Sequence, residues 1–256
     1  MKILIYQDYV HNNATLYRAL CRQFGMDNVH FADAADIAGG ALRSTIKLLV
    51  MPGGADLYYT EKLKGDGDTA IRNYIENGGS YLGICAGSYY ACTDIEWAKE
   101  TTHKICEPRA LAFFPGKAVG PVTEFIEDND PEKSWHAAPE VFYDDGHYQM
   151  EAHVHYAGGP VFVPAENEGF TVLAKYVNGE NAIVECSVGA GKAILCSPHL
   201  EKTYDDIMRG LYRHKNNSYE WEQKSAEALR SSETQARRLW AHILLRSVGT
   251  RKKDAA

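Results

Sequence analysis

The chain has 256 residues, 45% hydrophobic and 24% charged, the proportions of an ordinary globular protein long enough to bury a sizeable core. Its formal net charge of -7, with no long basic block, argues against nucleic acid or an anionic membrane as the main partner. The six cysteines contain no C-x-x-C pair and no apolar run approaches the ~20 residues that span a bilayer, so reduced thiols in a cytoplasmic protein are expected.

Met1-Lys2-Ile3-Leu4-Ile5-Tyr6 reads as a buried first strand over Lys2 to Tyr6, followed at once by polar residues, so no signal peptide is expected. Leu16, Ala19, Leu20 and Phe24 have helical spacing within Ala14 to Phe24, and a second strand fits Val29 to Ala32. Lys47 to Met51 is a continuous apolar run of the kind buried on both faces of a parallel sheet, and it ends in Pro52-Gly53-Gly54. Asp68 to Glu76 reads as a helix closed by Asn77-Gly78-Gly79. Next come a strand over Ser80 to Ile84 and a helix-like run from Ala86 to Cys92. This β-α alternation predicts an α/β protein with a flavodoxin-like, doubly wound, mostly parallel sheet.

From about Lys104 to Pro164 the chain is rich in Pro, Gly and aromatic residues, which predicts inserted antiparallel hairpins. Strands resume at Val172 to Val177, Ala182 to Cys186 and Lys192 to Cys196, with Asn178-Gly179 marking a hairpin turn. From Tyr204 onward the pattern is helical with a charged, solvated face, and residues 216–256 form a C-terminal helical extension beyond a main domain at 1–215.

Gly83-Ile84-Cys85-Ala86-Gly87 places a cysteine between small residues where a strand gives way to a helix, the arrangement of a nucleophile elbow. A thiol at a helix N-terminus meets unpaired N–H groups and the positive end of the dipole, which favour thiolate. A buried structural cysteine beside two loop glycines is the alternative. Nucleophilic catalysis further requires a base, a group that orients it and oxyanion donors. His199-Leu200-Glu201 follows the last strand of the sheet, on the edge where open α/β folds place their sites, and its carboxylate can hold the imidazole in one tautomer. Gly53 and Gly54 can turn backbone N–H groups toward an oxyanion, with the Ala86 N–H as a further donor. The competing readings are a packed loop histidine and a simple tight turn.

These motifs resemble those of class I glutamine amidotransferase-like proteins: strand-P-G-G, G-x-C-x-G, then P-H-x-E. The resemblance covers about Met1 to Tyr212. It implies a Cys-His-Glu triad of Cys85, His199 and Glu201 and an oxyanion pocket of Gly53, Gly54 and Ala86. Gly83 to Tyr90, Arg109 to Gly116 with Gly120-Pro121, and Ser197 to Glu201 are similar to the amidotransferase-like domain at the N-terminus of fungal biotin–protein ligases and in stand-alone bacterial proteins. Glutamine-using members carry Gln two residues beyond the second elbow glycine. Tyr89 stands there, followed by Tyr90, so these two are candidates for the substrate pocket and glutamine does not carry over as substrate. No G-R-G-type biotin and nucleotide motif and no P-loop occurs, so ligase activity is not expected of this chain.

His153-Val154-His155, with His147, invites a metal reading, but no carboxylate or cysteine joins them at a ligand spacing, and neither a metal nor a cofactor is expected. Tyr143, Tyr148 and Tyr156 are candidates for the wall of the active-site mouth or for hairpin packing. Asp8 and Asn12-Asn13 lie on the same edge, as ligand contacts or helix caps. The expected function is cysteine-dependent hydrolysis or amide transfer on a small-molecule amide or acyl substrate through a thioester. The alternatives are a non-catalytic binding or regulatory module and, more distantly, a thiol-based stress protein. A protein partner or a second copy of the chain stays open.

Overall fold

The computed structural model describes residues 1–10, 13–165, 168–210 and 217–249. The expected alternation is present: β1 (Lys2–Tyr6), α1 (Asn13–Phe24), β2 (Val29–Ala32), α2 (Ala34–Ala38), β3 (Ile46–Met51), α3 (Asp56–Leu63), α4 (Asp66–Glu76), β4 (Ser80–Ile84) and α5 (Ala86–Tyr90). The short α2 and α3 are additions to the sequence reading. α2 is nucleated by a reciprocal capping box between Asp33 and Asp36. α5 stops at Tyr90, so Cys92 opens a strand instead of closing a helix.

The remaining strands are β5 (Cys92–Trp97), β6 (Ile105–Pro108), β7 (Phe114–Gly120), β8 (Glu140–Asp144), β9 (Gln149–His153), β10 (Val161–Pro164), β11 (Phe170–Tyr176), β12 (Asn181–Val188) and β13 (Gly191–Cys196). They form a nine-stranded sheet in the order β2-β1-β3-β4-β13-β12-β11-β8-β9 and a four-stranded sheet in the order β10-β7-β5-β6. In the large sheet β2, β1, β3, β4 and β13 are parallel, and the last four strands add on antiparallel. The middle of the chain therefore divides: the β8–β9 hairpin extends the main sheet, whereas β6, β7 and β10 build a second sheet with β5, in which β5 and β7 pair in parallel.

The central strands are apolar on both faces because both faces are covered. Ile3, Ile5, Leu48, Val50, Leu82 and Ile84 pack with α1 (Leu16, Leu20) and the C-terminal helix α8 (Glu233–Ser247; Trp240, Ile243). Leu4, Tyr6, Leu49, Met51 and Tyr81 pack with α3, α4 and the second sheet through Tyr59, Ile71, Ile75 and Phe114. Two further helices, α6 (Tyr204–Gly210) and α7 (Tyr219–Ser231), precede α8, which lies along β9 and β13. β13 runs in register beside β4, with Cys196 opposite Ile84, so whatever follows each strand emerges at the same level. Among the described residues no helix is long and apolar enough to cross a membrane.

Candidate active site

Cys85 sits on the turn between β4 and α5 with φ 50° and ψ -105°, a left-handed conformation that strains a residue with a side chain. The turn is held from both ends. The Cys85 N–H donates to Cys196 O (2.9 Å), and Ser88 Oγ donates to Gly83 O and Cys196 O, each at 2.9 Å. The flanking glycines have a steric cause: a Cβ on Gly83 would stand 2.5 Å from Gly87 O, and one on Gly87 would overlap the Met51 carbonyl. The G-x-C-x-G spacing is thus what lets the turn close against β3 and itself.

His199 emerges from the turn after β13. Its Nδ1 lies 2.7 Å from Glu201 Oε1, with both side chains buried. Gly53 lies between the imidazole and Cys85: a Cβ there would overlap His199 Cε1, and would stand 3.1 Å from His199 Nε2 and 3.5 Å from Cys85 Cβ. Only a residue without a side chain leaves room for the ring beside Cys85 at this point. Gly54, at φ 155°, bridges Val10, and the Tyr59 hydroxyl donates to Pro52 O and Gly53 O. The structure therefore brings together Cys85, His199, Glu201, Gly53 and Ala86, with Gly54 on the adjoining turn.

The electrostatics differ from the dipole argument. Burial pushes the Cys85 thiol up to about 12, outweighing the Lys202 ammonium and the Ala86 N–H, which pull it down. The thiol lies 3.6 Å from Ala157 O, to which it donates. Glu201 moves the other way: the His199 imidazole and the Lys202 charge overcome desolvation and hold its carboxyl below the usual range.

Tyr89 is buried in the place that Gln takes in glutamine-using proteins. Its hydroxyl donates to Gly158 O (3.1 Å) and its ring meets Trp97 edge-on at 5.8 Å. Tyr90 is a correction to the pocket expectation. It is wholly buried, donates to Asp68 on α4 and packs edge-on against Tyr59, so it is a core residue. Tyr156 braces the rear of the site: its hydroxyl accepts from Val122 N–H and donates to Gly159 O. Tyr143 and Tyr148 instead surround His242 on α8.

His153 and His155 do not share a strand. His153 ends β9 with Nδ1 3.0 Å from Ala138 O, whereas His155 lies beyond the strand. The His155 carbonyl accepts from His199 N–H (2.8 Å), and its Nε2 is 3.0 Å from His136 Nδ1. Among the described residues no group of three or more His, Cys, Asp or Glu could hold a metal ion. Asp8 accepts from Ala34 N–H at the start of α2, and Asn12 lies outside the described residues.

Sequence reasoning missed several neighbours of the site. Arg109, completely buried, pairs with Asp56 (2.6 Å) at the start of α3, directly beyond the Gly53-Gly54 turn, and with Glu107 (2.7 Å). Lys202 lies beside Glu201, and the carbonyls of Ala157 and Gly158 close over Cys85 and Tyr89. Their signal is tertiary: burial and convergence from separate strands leave no local pattern.

A strand-turn-helix elbow bearing cysteine, beside a parallel strand that delivers a histidine and a glutamate, defines a class I glutamine amidotransferase-like fold. Solved structures agree: a glutamine amidotransferase superposes with a TM-score of 0.56 at 18% identity, covering 77% of this chain and 90% of that one. A glutamine amidotransferase from Thermotoga maritima superposes at 0.59 and 14% identity, covering 98% and 99%. Within that class the chain belongs to the family "Biotin-protein ligase, N terminal", whose profile matches residues 1–256. It is 34% identical over 161 residues to an uncharacterized protein of Chlamydia muridarum (61% of each chain). It is 29% identical over 181 residues to a biotin–protein ligase of Schizosaccharomyces pombe, matching 68% of this chain but 28% of the ligase. The chain thus spans less than two thirds of either curated relative.

Proposed function

We propose that this protein is a cysteine-dependent hydrolase or amidotransferase-like enzyme that acts on a small amide in the cytoplasm through a thioester on Cys85. The observation that carries the reading is Gly53, whose missing Cβ leaves the space in which the His199 ring and Cys85 meet, with Glu201 2.7 Å behind the ring. In this scheme His199 Nε2 takes the Cys85 proton as sulfur attacks the amide carbon. The carbonyl electron pair moves to oxygen, which accepts from the N–H groups of Gly53, Gly54 and Ala86. Collapse breaks the C–N bond, and the leaving amine takes the proton from His199. Water then adds to the thioester, giving its proton to His199, which returns it to sulfur as the S–C bond breaks. Glu201 holds Nδ1–H throughout and offsets the transient imidazolium. Burial pushes the Cys85 thiol up, so in this scheme His199 takes its proton as sulfur attacks.

A second reading, a binding or regulatory module without turnover, draws on Tyr89 in place of Gln and on the Ala157 carbonyl over the thiol. The discriminating experiment offers primary amides and γ-glutamyl amides, reads ammonia release, and seeks an acylated Cys85 by mass spectrometry. The enzyme reading expects turnover that Cys85→Ala abolishes. Absence of both ammonia release and an acylated Cys85, with every one of these amides, sinks it.

A further inference from the structure

His199 is held by more than Glu201. Its backbone pairs with residue 155 in an isolated antiparallel bridge, in which His199 N–H donates to His155 O (2.8 Å). That contact belongs to the main chain, and any residue at position 155 would supply it. The side chain adds a second one. The His155 ring packs against the His199 ring with 5.6 Å between centroids and 60° between planes, a separation at which ring pairs attract. The His199 imidazole is thus tied at Nδ1 by Glu201 and flanked by a second imidazole.

One ring orients another only if it is itself fixed. His155 is buried, and its Nε2 lies 3.0 Å from His136 Nδ1, so one nitrogen donates and the other accepts. His136 is buried as well and is anchored in turn. Its carbonyl accepts from the Trp221 indole N–H on α7 (2.6 Å), and the next residue, Ala137, exchanges backbone hydrogen bonds with Tyr156. His136, His155 and His199 therefore form a file of buried imidazoles leading from α7 to Glu201. Two apolar rings would fill the places of His136 and His155 without the cost of desolvating polar nitrogens. What the imidazoles supply and hydrocarbon does not is a hydrogen bond that selects one mutual orientation.

We propose that His155 is a positioning residue for His199. Its ring, fixed by His136, holds the His199 imidazole with Nδ1 on Glu201 and leaves Nε2 for the Cys85 proton. This role rests on the reading of His199 as the base of the site, but its test does not need turnover. Proton NMR of the full chain should show a low-field signal from His199 Nδ1–H, identified by its loss in His199→Ala. Its exchange with solvent is read by saturation transfer from water. His155→Leu removes the flanking ring and keeps the backbone bridge, and should speed that exchange about tenfold or more, while the backbone amides of β4 and β13 exchange as in the wild type. His136→Phe keeps ring volume and frees His155, so it serves even where His155→Leu fails to fold, and it too should speed the exchange. With an amide that is turned over, His155→Leu should lower kcat about tenfold and leave KM little changed. No such signal in the wild type, unchanged Nδ1–H exchange in either folded variant, or an unchanged kcat in His155→Leu overturns the proposal. Absence of turnover in the wild type, with faster exchange in both variants, removes the enzymatic reading and leaves His155 as the residue that holds His199.

Discussion

His199–Glu201 and Arg109–Asp56 are buried side-chain pairs of nearly equal length, 2.7 and 2.6 Å, on segments that adjoin Cys85, yet their carboxyls respond in opposite directions. At Asp56 desolvation prevails over Arg109, with Glu107 adding to it, and the carboxyl is held above its usual range. At Glu201 the imidazole and the Lys202 charge together prevail over desolvation, and the carboxyl is held below. One cation shared between two carboxylates makes a latch that tolerates protonation of its acid. At Glu201 an imidazole and a lysine act on one carboxylate, which under the proposed function stays an anion while His199 gains and loses a proton.

The largest expected effect tests the proposed chemistry. Under the proposed function His199→Ala should lower amide turnover by about 10⁴-fold or more, with the fold intact by circular dichroism. The structural pair should answer in stability. Asp56→Asn leaves Arg109 paired with Glu107 alone and should cost about 1–3 kcal/mol in urea unfolding. Arg109→Met should cost less, because Asp56 can take up a proton, and replacing both by apolar residues should recover most of the loss. Gly53→Ala tests the space between pair and thiol: its Cβ displaces the His199 ring, and kcat should fall by about 10²-fold with stability little changed.

A smaller effect separates the pairs by pH. The folded value of Glu201 is depressed, so its stabilisation is full above the unfolded value of 4.5 and is lost as pH falls through the folded value. Thermal melting of wild type should therefore decline more steeply below pH 4.5 than that of Glu201→Gln. The raised Asp56 has the opposite sign: its stabilising contribution is greatest when both states are protonated and is lost as pH rises through the folded value, so Asp56→Asn should flatten that limb. The smallest effect belongs to Tyr89→Phe, which removes the bond to Gly158 O and should cost about 1 kcal/mol while leaving Cys85 alkylation within a few-fold of wild type.

How much was legible follows the same division between local and tertiary causes. The five parallel strands were readable because strands buried on both faces are continuous apolar runs, and the Cys85 turn because its glycines answer local clashes. The second sheet was not, since its β5–β7 pairing joins strands with β6 between them and leaves no periodicity of its own. Tyr89 and Tyr90 read alike as neighbours, but one turns to Gly158 and the other to Asp68 in the core. Lys202 and Arg109 carry no local sign of a role, because the groups they meet come from elsewhere in the chain. The thiolate expectation failed for the same reason: the helix start was visible in the sequence, but the carbonyl and side chains that dry the thiol were not.

The one-for-one register from Lys192–Ser80 to Cys196–Ile84 makes residue counting a ruler. Adding a single residue to either strand would carry one partner ~3.3 Å along the axis and turn its neighbours to the opposite face. Variation in length should thus be tolerated where the sheet only turns, as at Asn178-Gly179, and forbidden between Gly191 and His199. In a set of related sequences, gaps would trace the outline of the chemistry before any catalytic residue had been compared.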